Sequence, residues 1–179
     1  MPLATGDRPV LEFQPVSPER WPDLVRFGVD HGNFGWCWCM RWRLTSTEFR
    51  NSTKASRRAA LEKFVAEGTP VGVLGYLGGE PLAWCSIAPR ETYAALERSK
   101  VLARVDDVPV WPVVCFLIDR TLRRQGVTPD LLRAAVDYAR AQGARAVEGY
   151  PVEDDIKSYD FMGSTTTFRL AGFRDVKYG

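Results

Sequence analysis

Apolar and polar positions along the chain change period several times, and each change marks an element. LEFQPVS (11–17) alternates as a first strand does, and a helix follows with Ser17 as cap, Pro18 at its first position and Gly32 as terminator. NFGWCWCMRWR (33–43) has no helical period, whereas STKASRRAALEKFVAEG places Leu61, Phe64 and Val65 on one helical face. VGVLGYLGGEPLAWCSIAP (71–89) reads as two strands turning at Gly78 and Gly79. A short helix is predicted within residues 91–100, then a turn at DDVP, then the β-branched strand VWPVVCFLI (110–118). The fullest helix signal follows: Thr128 as N-cap, Pro129 at the first position, Asp130 in the first turn, Leu131, Leu132, Ala135, Val136 and Ala139 as the apolar positions, and Gly143 as stop. ARAVEGYPV (144–152) reads as another strand, STTTFRLAGF (164–173) as a short helix, and RDVKYG (174–179) as a last strand or its stub.

This order predicts an α/β or α+β sheet with one right-handed parallel crossover around the Thr128 helix. The 179 residues suit a single domain over 1–179, and 45% hydrophobic with 26% charged residues is globular composition. A net charge of +2 gives no global argument for a nucleic-acid or membrane partner. No basic leader followed by an apolar stretch and no run of bilayer length occurs, so a soluble cytoplasmic protein is expected. Four cysteines are too few for a disulfide scaffold and are expected as reduced, mostly buried thiols. Cys37-x-Cys39 departs from the usual C-x₂₋₄-C zinc spacing and lacks a second ligand pair, so no metal is predicted. Cys115, in a core strand without a neighbouring base, reads as packing.

Candidate chemistry concentrates at RRQGVT (123–128), between a strand and a helix start. Unpaired N–H groups at a helix N-terminus form an anion site, Gly126 allows a close backbone approach, and Arg123 and Arg124 add positive charge. The segment is neither G-x-x-x-x-G-K-[ST] nor G-x-G-x-x-G. It resembles the signature of the GNAT superfamily of acyl-CoA-dependent N-acyltransferases: Gln or Arg, two residues, Gly, one residue, then Gly or Ala. FRLAGF (168–173) resembles that family's closing Y-x-x-x-G-F, and the resemblance runs from about Val71 to Phe173.

The resemblance implies a mixed, mostly antiparallel sheet of six or seven strands flanked by helices, with one parallel pair splayed to hold coenzyme A. It implies acetyl-CoA as co-substrate, with Arg123, Arg124, Gln125, Gly126, Val127 and Thr128 at its pyrophosphate and Phe116, Leu117 and Ile118 beside pantetheine. Ser164 and Phe168 complete the implied cofactor set, and the Phe116 amide faces the thioester oxygen as oxyanion donor. Two departures stand out: Thr128 replaces the small last residue of the signature, and Phe168 stands where many members carry a tyrosine that protonates the leaving thiolate. The chain also stops six residues after Gly172-Phe173, so an open or partner-completed sheet edge is expected, compatible with a homodimer.

Acid–base work falls to carboxylates, because the one histidine, His31, reads as a cap or surface residue. Glu148, alone in an apolar strand, either pairs or has a raised pKa and is the candidate base. Tyr150, Tyr159, Ser164 or a water are the candidate acids, none ranked above the rest; Asp106, Asp107 and Asp119 read as loop and cap chemistry. Trp36, Trp38, Trp42 and Trp111 are candidate walls of an acceptor pocket. The expected activity is acetyl or acyl transfer from acyl-CoA to a primary amine of a small molecule by direct attack in a ternary complex. The alternative is a catalytically degenerate ligand-binding module of the same fold.

Overall fold

The structure, a computed structural model, describes residues 7–155 and 157–178. Strands are β1 (Glu12–Pro15), β2 (Gly72–Leu77), β3 (Glu80–Ile87), β4 (Val110–Ile118) and β5 (Ala146–Gly149). Helices are α1 (Trp21–Asp30), α2 (Gly32–Cys37), α3 (Ser46–Asn51), α4 (Lys54–Ala66), α5 (Ala94–Glu97), α6 (Val127–Ala141) and α7 (Thr165–Leu170). The sheet runs in chain order from β1 to β5, antiparallel until the last pair, where β4 and β5 are parallel. That parallel pair requires the crossover through α6, which was legible in the sequence.

The mixed, mostly antiparallel architecture is as expected, but five strands form among the described residues where six or seven were predicted. Residues 174–178 add none, so β5 pairs only with β4 among the described residues. Two other expectations need correction. NFGWCWCMRWR contains α2, six residues long and too short for a 3.6-residue period to repeat. It ends where Trp38 and Cys39 both take positive φ. The cap of α6 is Gly126 instead of Thr128, because Gly126 takes the left-handed conformation (φ 72°) that starts the helix one residue later at Val127.

Local sequence explains the helix starts elsewhere. Thr45 with Glu48 and Thr53 with Ser56 form reciprocal capping boxes that open α3 and α4. One sheet face packs Leu131, Leu132, Ala135 and Ala139 of α6 against Val73, Ala83, Ile87 and Phe116. The other face packs Leu24 and Phe27 of α1, Phe34, Trp38 and Leu61 against Leu74 and Trp84. A third, smaller cluster of Ala88, Tyr93, Leu96 and Val114 lies beneath Trp42 and Tyr150. No helix among the described residues is long and apolar enough to cross a membrane.

Candidate active site

The site is built on a fork in the sheet. β4 and β5 are in register from Val110 with Ala146 to Val113 with Gly149, and β4 then continues without β5 to Ile118, with the 3-10 turn Asp160–Met162 packed beside it. On its other edge β4 pairs with β3, and Asp119 N–H donates to Leu82 O at 2.8 Å. Antiparallel alternation therefore turns the backbone of Leu117 and Cys115 toward β3 and that of Phe116 and Ile118 toward the fork. Leu117, expected beside pantetheine with Phe116 and Ile118, differs from them in this alternation: its N–H and C=O face the β3 ladder and its side chain packs on the α1 face. The Ile118 carbonyl instead accepts from Arg123 Nε at 3.4 Å.

Beyond the strand, Asp119 accepts from Thr121 N at 2.8 Å and Thr121 Oγ1 at 2.6 Å, closing a 3-10 turn over Arg120–Leu122. Burial alone would raise the Asp119 carboxyl. The Thr121 hydrogen bonds and His31 outweigh it and hold the group below the ordinary carboxylate range. His31 Nε2 lies 2.9 Å from Asp119 Oδ2 and Nδ1 lies 2.8 Å from Phe27 O, so the residue capping α1 also ties α1 to the end of β4.

Arg124 (φ 61°) and Gly126 (φ 72°) both take the left-handed conformation in the loop that follows. No backbone carbonyl among the described residues accepts from the N–H groups of Arg124, Gln125 or Gly126. With the first amides of α6 they form a concave run of free donors, and Pro129 contributes none. Arg123 and Arg124 have no carboxylate within ion-pair distance among the described residues. The loop thus has the donors and charge that a diphosphate requires.

Phe168 stands on the helical face of the fork, 3% exposed and in T-shaped contact with Phe116 at 5.9 Å and Phe173 at 5.0 Å. A Cβ on Gly149 would stand 1.9 Å from its ring and one on Gly163 2.8 Å, so the two glycines grip the ring from opposite edges. Ser164 caps α7 by accepting from Thr167 N at 3.2 Å.

On the opposite face, Glu148 and Tyr150 converge on Arg90, whose side chain is 1% exposed. Arg90 reaches Glu97 at 2.5 Å, the Tyr150 hydroxyl at 2.8 Å, Leu102 O at 2.6 Å and Glu148 at 3.5 Å. Arg104 joins Glu97 at 2.9 Å and Glu91 at 3.4 Å. Glu148 is therefore the paired acid of the two alternatives read from the sequence. Tyr150 donates to Glu148 at 3.3 Å while accepting from Arg90. Its phenol is raised well above the ordinary value by burial and then by the Glu148 charge, so it keeps its proton.

A cavity of about 1060 Å³ runs along the free edge of β5, and Trp42, Leu102, Glu148, Gly149, Tyr150 and Phe168 line its end at the fork. Of the four tryptophans expected there, only Trp42 lines it. Trp38 lies in the core at 3% exposure; Trp36 stacks on Phe49 with the Arg57 guanidinium over it; Trp111 packs edge-on to Tyr138. Arg90, the hub of the cluster, carried no signal in the sequence beyond Glu97 seven residues later. No three His, Cys, Asp or Glu side chains among the described residues converge as a metal-ligand set.

The sequence profile of the Acetyltransferase (GNAT) family matches residues 38–163. No curated protein matches the sequence. Among solved structures, aminoglycoside N-acetyltransferase AAC(6′)-Iy in complex with CoA superposes with a TM-score of 0.61 at 11% identity, over 99% of this chain and 95% of that one. Aminoglycoside 6′-N-acetyltransferase AAC(6′)-IG from Acinetobacter haemolyticus gives 0.55 at 18% identity over 94% of both chains. A GCN5-related N-acetyltransferase from Ralstonia eutropha JMP134 gives 0.56 at 14% identity, over 95% of this chain and 96% of that one. At these identities the likeness is one of fold.

Proposed function

For a chain that belongs to the GNAT acetyltransferase family, we propose transfer of an acetyl or related acyl group from acyl-CoA to a primary amine of a small molecule, by direct attack in a ternary complex. The observation that carries the reading is the parting of β4 and β5 after Val113 and Gly149, which leaves the Phe116 and Ile118 backbone, turned away from β3, unpaired by β5 on the way to the free amides before α6. Arg123, Arg124, Gln125, Gly126, Val127 and Thr128 hold the diphosphate, and Phe116 and Ile118 pair with pantetheine as a further strand would. When bound, acyl-CoA supplies an activated acyl carbon. The Phe116 N–H is assigned to the thioester oxygen, where negative charge develops.

The acceptor enters from the cavity beside Trp42. Of the Arg90 cluster's carboxylates Glu148 is the one that lines it, and an amine would be met by that group rather than by a net negative charge, because Arg140, Arg145, Arg169, Arg174 and Lys177 outnumber Glu148, Glu153 and Asp175 in the lining. The likeness in fold to aminoglycoside N-acetyltransferases supports an amine acceptor. Glu148 takes the amine proton, directly or through one water. Arg90 and Tyr150 are positioning residues that fix its orientation, and because the Tyr150 hydroxyl is engaged on both sides it serves as a donor to Glu148 in place of an acid for the thiolate. Water protonates the leaving thiolate, since Phe168 has no proton to give.

The test is calorimetric titration of acetyl-CoA into wild type and Gly126→Asp, which places an anion and a side chain at a φ of 72°, followed by an amine-library screen. One-to-one binding abolished by Gly126→Asp, with turnover of a primary amine, is the expected result. Absence of binding to wild type would refute the cofactor reading; binding without turnover of any amine would leave the degenerate ligand-binding module as the better description.

A further inference from the structure

Cys39 takes no part in the acyl transfer proposed above, yet its surroundings are those of an anion. Trp38 (φ 50°) and Cys39 (φ 53°) both take the left-handed conformation after α2, a turn that costs energy in residues other than glycine and that seats Cys39 in the core. The patch it meets is fixed by the register of β3 with β4: Trp84 and Ser86 share one face of β3, and Cys115 lies directly across from Ser86. Trp84 Nε1 donates to Cys39 Sγ at 3.1 Å. The Cys115 thiol has two acceptors in reach, Phe116 O at 3.9 Å and Cys39 Sγ.

A buried cation completes the patch. Arg43 is 4% exposed and has no carboxylate within ion-pair distance among the described residues. Its Nη2 donates to Val71 O at 3.1 Å, Tyr93 Oη at 3.3 Å and Ser86 Oγ at 3.4 Å, its Nη1 to Thr92 Oγ1 at 3.3 Å, and its Nε to nothing. These partners are all neutral, so the guanidinium charge leaves water without a counter-ion. Cys39, which also adjoins Ser86, supplies one by losing its proton. Burial alone would raise the Cys39 thiol; the hydrogen bonds from Cys115 and Trp84 and the Arg43 charge outweigh it and lower the group below the ordinary thiol value.

We infer that Cys39 and Cys115 form an oxidation site for hydroperoxides, with Cys39 as the attacking thiolate and Cys115 as the resolving thiol. The Cys39 sulfur attacks hydrogen peroxide, the O–O bond breaks, and the leaving hydroxide takes up the proton that Cys39 gave away, leaving a sulfenic acid and one water. The Cys115 sulfur then attacks the Cys39 sulfur; the S–S bond forms, the S–O bond breaks, and the hydroxyl leaves with the Cys115 proton as a second water. Two thiols and one peroxide thus become one disulfide and two waters. Cys115 is incompletely buried and packs in the cluster of Trp42 and Tyr150, which line the cavity at the fork, so the oxidant enters from that side. The disulfide fastens the segment after α2 to β4, one residue before Phe116.

The experiment exposes the full chain to hydrogen peroxide, quenches with catalase, and alkylates the thiols in denaturant for peptide mass mapping with and without dithiothreitol. Two of the four cysteines should resist alkylation, in a peptide pair joining Cys39 to Cys115 that dithiothreitol separates, while Cys37 and Cys85 alkylate fully. Cys115→Ser with dimedone present should trap Cys39 as its sulfenic-acid adduct. In Cys39→Ser, Cys115 should oxidise roughly tenfold more slowly, the attacking thiolate being gone. Retention of all four thiols in wild type, a Cys37–Cys39 bridge, or dimedone on Cys115 in place of Cys39 would each overturn the inference. The wild-type map decides it even if a variant fails to fold. Acyl-CoA enters none of these readouts, so the result is independent of the cofactor reading.

Discussion

Gly149→Ala tests the packing at the fork. A Cβ there would stand 1.9, 2.5 and 2.7 Å from Phe168 Cε1, Cζ and Cδ1. Ordinary contact begins near 3.4 Å, so the ring must retreat by about 1.5 Å. Its other edge already meets Gly163, with Phe116 and Phe173 against it at 5.9 and 5.0 Å, so the ring has no free side. Relief must come from moving β5 away from β4 or α7 outward. Forced overpacking of this kind costs about 1–3 kcal/mol. For a domain of this size that lowers Tm by roughly 2–12 °C. The assay is thermal and urea unfolding of wild type, Gly149→Ala, Phe168→Leu and the double variant. If the ring is the obstacle, Gly149→Ala costs less in the Phe168→Leu background, with a coupling of about 0.5–3 kcal/mol. A Gly149→Ala protein that melts with wild type, or a penalty undiminished beside leucine, would refute the reasoning.

Two further predictions concern charge. The Asp119 carboxyl is lowered in the folded state, so it contributes stability that is present above the unfolded value near pH 4 and is lost as pH falls through the folded value. Urea midpoints of Asp119→Asn measured from pH 3 to pH 7 should therefore fall less steeply at the acid end than those of wild type; parallel curves would contradict this. Arg90→Met removes the only cation within ion-pair distance of Glu148 among the described residues and should destabilise by about 3–5 kcal/mol, as breaking a buried pair does. A urea midpoint unchanged by the substitution would show that Glu148 and Glu97 do not depend on it.

What the sequence disclosed was local: the hairpin at Gly78 and Gly79, the crossover helix, and the loop around Gly126, each written within a few consecutive residues. What it withheld depends on distance along the chain. Arg90 meets Tyr150 across 60 positions, and no spacing rule links them. Leu117 groups with Phe116 and Ile118 in the sequence because sequence does not show that alternation within a strand divides neighbours between two edges; only the register with β3 says which residue faces which. Trp36, Trp38 and Trp42 looked alike in sequence, yet one stacks outside, one is core and one lines the cavity. Thr128 has the chemistry of a cap, but left-handed Gly126 starts the helix first.

The Arg90 cluster also has a kinetic meaning. Arg90 follows β3, but its partners on β5 arrive only after β4 and the crossover helix have been placed, and parallel pairing of that kind carries a large loop-closure cost. The acceptor end is then expected to assemble late in folding, so substitutions in it should accelerate unfolding while leaving the refolding rate nearly unchanged. The β2–β3 hairpin, joined at Gly78 and Gly79, is the one sheet pairing among the described residues that closes a short loop and is the expected start, with the acceptor end completed when β5 docks.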